Sequence, residues 1–290
     1  MLFDTHAHLY WESFKEDFDE MIQRCLAAGV NELINVGVDV KTSQTAAEME
    51  NDKVKFYSSI GIHPHEATKY FDNPDISIQK DIEKLEEIYK QSSEKTVGPE
   101  RSRRIVLVGE CGLDYLIDPS FAPPDCTPDQ VKELQHKLLQ AQIDLAKKLN
   151  LPLSLHIRDD RSEDPDNSEC WDKIIEMTKD HFGIFHCYSG LEKTTTKIME
   201  GNFLVSFAAT VTYPKNDYLR ETVIMLPLEK IVLETDCPFL PPQSKRGTRN
   251  EPQTVKEIAE LIADLKGIPF DEVAGQTTEN VKKLLLSSCV

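Results

Sequence analysis

Short apolar runs recur along the chain, and most are followed by a longer stretch whose apolar positions repeat every three to four residues. The first pattern reads as strand and the second as amphipathic helix. The strand runs are Leu2–Leu9, Leu33–Val38, Phe56–Ile62, Ile105–Glu110, Pro152–Ile157, Gly183–His186, Phe203–Ser206 and Ile231–Asp236, eight in all. The helical runs are Phe14–Ala28, Thr42–Glu50, Ile78–Gln91, Pro128–Leu149, Glu169–His181, Val255–Leu265 and Thr278–Leu286. Strands alternating with helices call for parallel βαβ units. Eight such units predict an α/β fold of the (β/α)8 TIM-barrel type, with its site at the C-terminal ends of the strands. One barrel domain over residues 1–290 fits the length. No linker and no internal repeat breaks the pattern.

Two polar segments interrupt it, Ser92–Arg104 and Asp159–Ser168. The first ends in Arg101-Ser102-Arg103-Arg104. It precedes the fourth strand, so it belongs on the barrel face opposite the site and reads as a solvated loop. Asp and Glu number 50 against 33 Lys and Arg, a net charge of −17. Such a chain is a poor non-specific binder of nucleic acid, because phosphate contacts need Lys and Arg. It can act on a phosphodiester where bound metal and a local basic loop reverse the field. The 7 cysteines are scattered without a CxxC pair. That speaks against a disulfide framework or a structural zinc knot, and for a reducing compartment. The expected location is cytoplasmic or, in a eukaryote, also nuclear. The N-terminus shows no signal-peptide pattern. No apolar stretch approaches the ~18 residues of a membrane span. No obligate protein partner is evident.

The histidines change the picture. Six of the 8 fall at predicted strand ends; only His136 and His181 do not, and these read as surface or helix-end residues. His6 and His8 end the first strand, and side chains two apart on a strand point the same way. Both are expected to face the barrel mouth. The third strand ends in Gly61-Ile62-His63-Pro64-His65, the fourth in Gly109-Glu110-Cys111-Gly112-Leu113-Asp114, the fifth at His156, the sixth at His186 and the eighth at Asp236. Imidazole and carboxylate at one mouth suit zinc, manganese or magnesium. Two divalent ions would need a bridging ligand, and Glu110 can offer one oxygen to each. The expected division is His6, His8, Glu110 and Asp236 on one ion, and Glu110, His156 and His186 on the other. Water between the ions would become hydroxide near neutral pH, with Asp236 placed to hold its proton.

On these residues the chain resembles the TatD family of metal-dependent deoxyribonucleases, within the amidohydrolase superfamily. The matching motifs are Asp4-Thr5-His6-Ala7-His8, the Gly61–His65 and Gly109–Asp114 stretches, His156-Ile157-Arg158-Asp159, His186-Cys187-Tyr188-Ser189-Gly190, Glu234-Thr235-Asp236-Cys237-Pro238 and Arg246-Gly247-Thr248-Arg249-Asn250-Glu251-Pro252. They run in order through nearly the whole chain. The resemblance implies the barrel, divalent-metal catalysis and hydrolysis of DNA phosphodiesters from a 3′ end, on single strands or 3′ termini. It supports His6, His8, Glu110, His156, His186 and Asp236 as ligands. Cys111 stands where the family usually has an aliphatic residue, and both polar insertions are longer than usual.

Other residues invite roles beside these. His63 is placed either to hydrogen-bond a phosphate or leaving oxygen, or to fix its loop; His65 reads as structural. Asp4 is expected deeper on the side of His6, as a partner of a ligand. Arg158 follows a ligand and reads as a substrate or supporting residue. Arg246, Arg249 and Asn250 follow the eighth strand, where such barrels often bind phosphate, and Arg offers a planar fork to it; the plainer reading is a loop stapled to Glu251. Tyr115, Tyr188 and Tyr213 could stack on bases, although aromatics there are more often core or rim. The rival readings are another amidohydrolase (lactonase, amidase or phosphotriesterase) and an inactive metal-binding scaffold. Many of the former bridge their metals with a carbamylated lysine where this chain has Glu110.

Overall fold

Each predicted strand run yields a strand in a computed structural model that describes residues 1–94, 104–117 and 126–287. Arg101, Ser102, Arg103 and Cys289 lie outside the described residues. The strands are β1 (Leu2–Ala7), β2 (Val30–Asn35), β3 (Lys55–Ile60), β4 (Ile105–Asp114), β5 (Leu153–Arg158), β6 (Gly183–Phe185), β7 (Phe203–Phe207) and β8 (Ile231–Leu233). They pair in sequence order, all parallel. A parallel bridge between Ala7 and Cys237 brings the last strand back to the first. His8 N–H donates to the Cys237 carbonyl and Asp236 N–H to the His6 carbonyl, each at 2.8 Å, so the barrel closes at its mouth.

The helices are α1 (Phe18–Ala28), α2 (Val40–Glu48), α3 (Pro74–Glu94), α4 (Pro128–Leu149), α5 (Glu169–Thr178), α6 (Glu192–Ile198), α7 (Asp217–Met225), α8 (Val255–Lys266) and α9 (Phe270–Ser287). Local chemistry sets several ends. Asp39 and Thr42 form a reciprocal capping box at the start of α2, and Thr127 with Gln130 does the same for α4; each satisfies backbone donors that the first turn leaves open. Gly29 ends α1 at φ 85°, where a side chain would be strained. α6 and α7 escaped the periodicity reading. α6 is 7 residues long and carries Thr194-Thr195-Thr196, poor helix formers; burial of Thr194, Thr195 and Ile198 holds it instead. α1 starts four residues later than its pattern, after a separate 3-10 turn at Glu12–Phe14, and α9 starts at Phe270 rather than Thr278.

Two strand ends matter for the site. β4 runs past Glu110 to Asp114, and all ten residues are buried. Gly112 pairs with His156 on β5, and a side chain there would collide with the His156 carbonyl. β8 is shorter than expected, so Asp236 sits in the turn after it, at φ 56°. The apolar core includes Trp171 and Tyr188, both almost fully enclosed. Among the described residues no helix is long and apolar enough to cross a membrane.

Candidate metal centre

Glu110 projects from β4 into the middle of the mouth. Its two oxygens face different histidines. Oε2 lies 3.3 Å from His6 Nε2 and 3.9 Å from His8 Nε2. Oε1 lies 2.9 Å from His156 Nδ1, 3.4 Å from His63 Nε2 and 3.5 Å from His186 Nε2. Asp236 Oδ1 completes the first side, 3.3 Å from His8 Nε2 and 4.0 Å from His6 Nε2. His6–His8–Asp236, His63–Glu110–His156 and His6–His186–Glu234 each bring three donor atoms within 4.8 Å of one another. Strand geometry thus gathers every residue of the expected ligand set, and adds Glu234.

Contacts behind the site decide which ring nitrogen faces inward. His8 Nδ1 lies 2.9 Å from the Val36 carbonyl, an acceptor only, so Nδ1 carries the proton and Nε2 keeps its lone pair for the centre. His186 Nδ1 lies 2.9 Å from Glu234 Oε1 and His156 Nε2 lies 3.2 Å from Asp114 Oδ2, the carboxylate–imidazole pairing that orients metal ligands. His63 is the opposite case. Its Nδ1 accepts from the His65 backbone N–H at 3.2 Å, so the neutral ring carries its proton on Nε2, facing Glu110. His63 therefore presents an N–H toward the centre, where His8 presents a lone pair. Burial pushes its pKa down to about 4, which keeps the ring neutral.

The charge balance favours cations. Glu110, Asp114, Glu234 and Asp236 converge on imidazoles in a buried pocket, and buried carboxylates need positive partners. Burial opposes ionisation of Glu110, yet the surrounding histidines hold it well below its ordinary value. Burial also works against a charged His156 or His186, but His156 is pushed up to about 9 by Asp114 and Glu110, and His186 to about 10 by Glu234 and Glu110. His6 stays neutral, lowered by burial and by His186 beside it, and neither of its buried nitrogens has a hydrogen-bond partner. An enclosed imidazole with bare nitrogens fits a metal ligand.

The other residues singled out by the sequence take varied places. Arg249 does not point at the mouth. It grips Asp17 through two bonds of 2.7 Å and Glu251 through one of 2.7 Å, donates to the Ser13 carbonyl, and lies over the Phe14 ring. Arg24 binds the same two carboxylates. The stapled-loop reading wins because Glu251, two residues on, and Asp17, 232 residues back, both meet the guanidinium. Asn250 is buried and donates to the Thr235 carbonyl at 2.8 Å, so it braces the loop. Arg246 stays exposed over Tyr213, and Arg158, half exposed, lies 3.8 Å from Asp114. Asp4 accepts from Thr235 Oγ1 at 2.6 Å and from the His6 and Thr235 backbone. Burial raises its pKa to about 8. His65 bonds Asp114 at 2.8 Å, as a supporting residue would. Tyr115 and Tyr188 are buried, and Tyr115 bonds His136. His181 is buried rather than superficial. Arg104 pairs with Glu50. Sequence reasoning passed over Trp11 and Phe239, exposed aromatics that stand three residues after His8 and one after Pro238; their only signal was this nearness to the motifs.

A TIM barrel with this centre in its mouth defines a metal-dependent hydrolase. The family model described as TatD related DNase matches residues 3–286. The chain belongs to the TatD family. It is 36% identical to the uncharacterized metal-dependent hydrolase YabD of Bacillus subtilis, over 98% of each chain. It is 28% identical to the 3′-5′ ssDNA/RNA exonuclease TatD of Escherichia fergusonii, again over 98% of each. The crystal structure of YjjV, a TatD homologue from Escherichia coli, superposes with a TM-score of 0.79 at 25% identity, covering 98% of this chain and 97% of the other.

Proposed function

We propose that the chain is a two-metal phosphodiesterase that trims single-stranded nucleic acid from its 3′ end. The observation that carries this is Glu110, whose Oε2 faces His6 and His8 while its Oε1 faces His156 and His186. A carboxylate so split suits two ions. His6, His8, Glu110 and Asp236 would hold one, and Glu110, His156 and His186 the other. Bound there, zinc, magnesium or manganese would lower the pKa of water and neutralise phosphate charge. Asp236, at the edge of the set, accepts the proton of the attacking water. His63 donates a hydrogen bond from its Nε2–H to the departing oxygen, which steadies the charge that develops there. Arg158 and Arg246 meet neighbouring phosphates. The exonuclease name of the Escherichia fergusonii relative supports the substrate class. β4 offers no lysine for a carbamate bridge, which counts against the lactonase and phosphotriesterase rivals. The complete ligand set counts against an inactive scaffold.

The test is a 5′-labelled single-stranded oligonucleotide, incubated with the purified chain, with EDTA, and with each divalent ion restored. The expected outcome is stepwise shortening from the 3′ end that stops in EDTA and returns with metal. Full cleavage in excess EDTA with no bound metal would remove the metal from the mechanism. Turnover of lactones or phosphotriesters alone would install a rival.

A further inference from the structure

Two large aromatic side chains stand on the rim beside this centre. Trp11, just after β1, is 42% exposed, and Phe239, in the loop after β8, is 44% exposed. Their rings meet edge to face with centroids 5.4 Å apart, and Phe239 lies 6.1 Å from the ring of His8. The pair is thus continuous with a ligand of the centre. Tyr10 backs the indole with its ring tilted by 22°, and its hydroxyl is anchored to the Val36 carbonyl at 2.9 Å. Held from behind, Trp11 still presents much of its surface to solvent.

The charge of the molecule makes these rings informative. A chain of net charge −17 repels a polyanion. Arg249 is committed to Asp17 and Glu251. Affinity beyond the ions and a few rim cations must have an uncharged source. Stacking is that source for single strands, since every base has a π-face and an aromatic side chain can cover it. We propose that Trp11 and Phe239 form a stacking platform for an unpaired base next to the scissile phosphate. The inference rests on the phosphodiesterase reading. It favours single strands, because a base stacked within a duplex has both faces covered and a terminal base has only one open. It also predicts tolerance of sequence and of sugar, because the platform reads neither base edges nor the 2′-hydroxyl.

The chain has 2 tryptophans, and the other, Trp171, is fully buried. Fluorescence quenching by a ligand on the rim therefore reports Trp11. The metal-loaded chain is titrated with a cleavage-resistant phosphorothioate oligonucleotide, and with the same oligonucleotide made abasic at its last two 3′ positions. The expected result is saturable quenching by the first that is much weaker with the second. Trp11→Ala and Phe239→Ala, checked for metal content and melting temperature, each weaken binding roughly 5- to 150-fold, the range for one stacked base. The loss appears mainly in KM, persists at high salt, and is absent on the abasic ligand. Trp11→Phe binds better than Trp11→Ala. If Trp11→Ala binds base-bearing and abasic oligonucleotides as the wild type does, the platform is overturned while the nuclease reading stands. If the wild type neither binds nor cleaves any oligonucleotide with metal present, both readings fall together.

Discussion

The floor of the barrel mouth and the loop after β8 both carry residues whose types suit phosphate chemistry, and only on the floor do those residues converge. Glu110, His6, His8, His156, His186 and Asp236 meet within a few ångströms of one another. In the loop, Arg249 turns away to Asp17 and Glu251, and Asn250 is spent on backbone carbonyls. The floor is built where strands end, and a strand fixes the direction of its side chains by the pleat. A loop side chain is aimed by whatever partner reaches it, and that partner is set by the tertiary fold. Residue type and strand position therefore predict placement well on the floor and poorly in the loop.

Glu110→Gln breaks the floor most severely. The amide keeps the shape but cannot supply an anionic oxygen to each side. The expected outcome is a fall in turnover of about 10³-fold or more, at the upper end for one electrostatic group, with loss of at least one bound ion. Metal analysis beside a cleavage assay checks it, and near-normal turnover at full occupancy would show that Glu110 does not bridge. His63→Ala sharpens the contrast within the floor. If His63 hydrogen-bonds the departing oxygen, turnover drops about 10²- to 10³-fold while metal content holds; loss of an ion would make it a ligand instead.

Arg249→Ala probes the loop, and its expected effect is smallest. KM for an oligonucleotide stays as it is. Stability falls by about 1–2 kcal/mol, between the values for exposed and buried pairs because Asp17 remains partly wet. The pH dependence has a definite sign. Arg249 and Arg24 hold Asp17 below its ordinary value, and they overcome burial to hold Glu251 below its own. A lowered folded-state pKa contributes stability above the unfolded values of 3.8 and 4.5, lost as pH falls below them. Thermal melts should show the gap between variant and wild type closing with acidification through that range. A gap that widens would place the stapling charge elsewhere.

The fold was largely legible. Eight strand runs and their alternation with helices led to the barrel, because burial on both faces leaves uninterrupted apolar runs. α6 was not legible, since its threonines are helical only through the burial that packing gives them. In the centre, the histidines announced themselves by position, but the roles of their nitrogens did not. That His8 turns Nε2 inward depends on Val36, and that His63 turns its proton inward depends on the backbone of His65. Glu234 went unassigned because its partner, His186, comes from another strand. Trp11 and Phe239 carried no motif, and only solvent exposure beside His8 marks them.

The bridge between Ala7 and Cys237 is also the seam where the two ends of the barrel sheet meet. His6 and His8 stand on one lip and Asp236 on the other. An ion held by these three residues would act as a reversible staple, closing a loop almost as long as the chain. Its tightening would depend on free metal, since a ligand that binds only the closed form stabilises by mass action. Chelation should therefore unzip the molecule from this line outward. Amide exchange would show it, with His8 and Asp236 losing protection before the strands on the far side, whereas uniform exchange would mean that the seam holds without the ion.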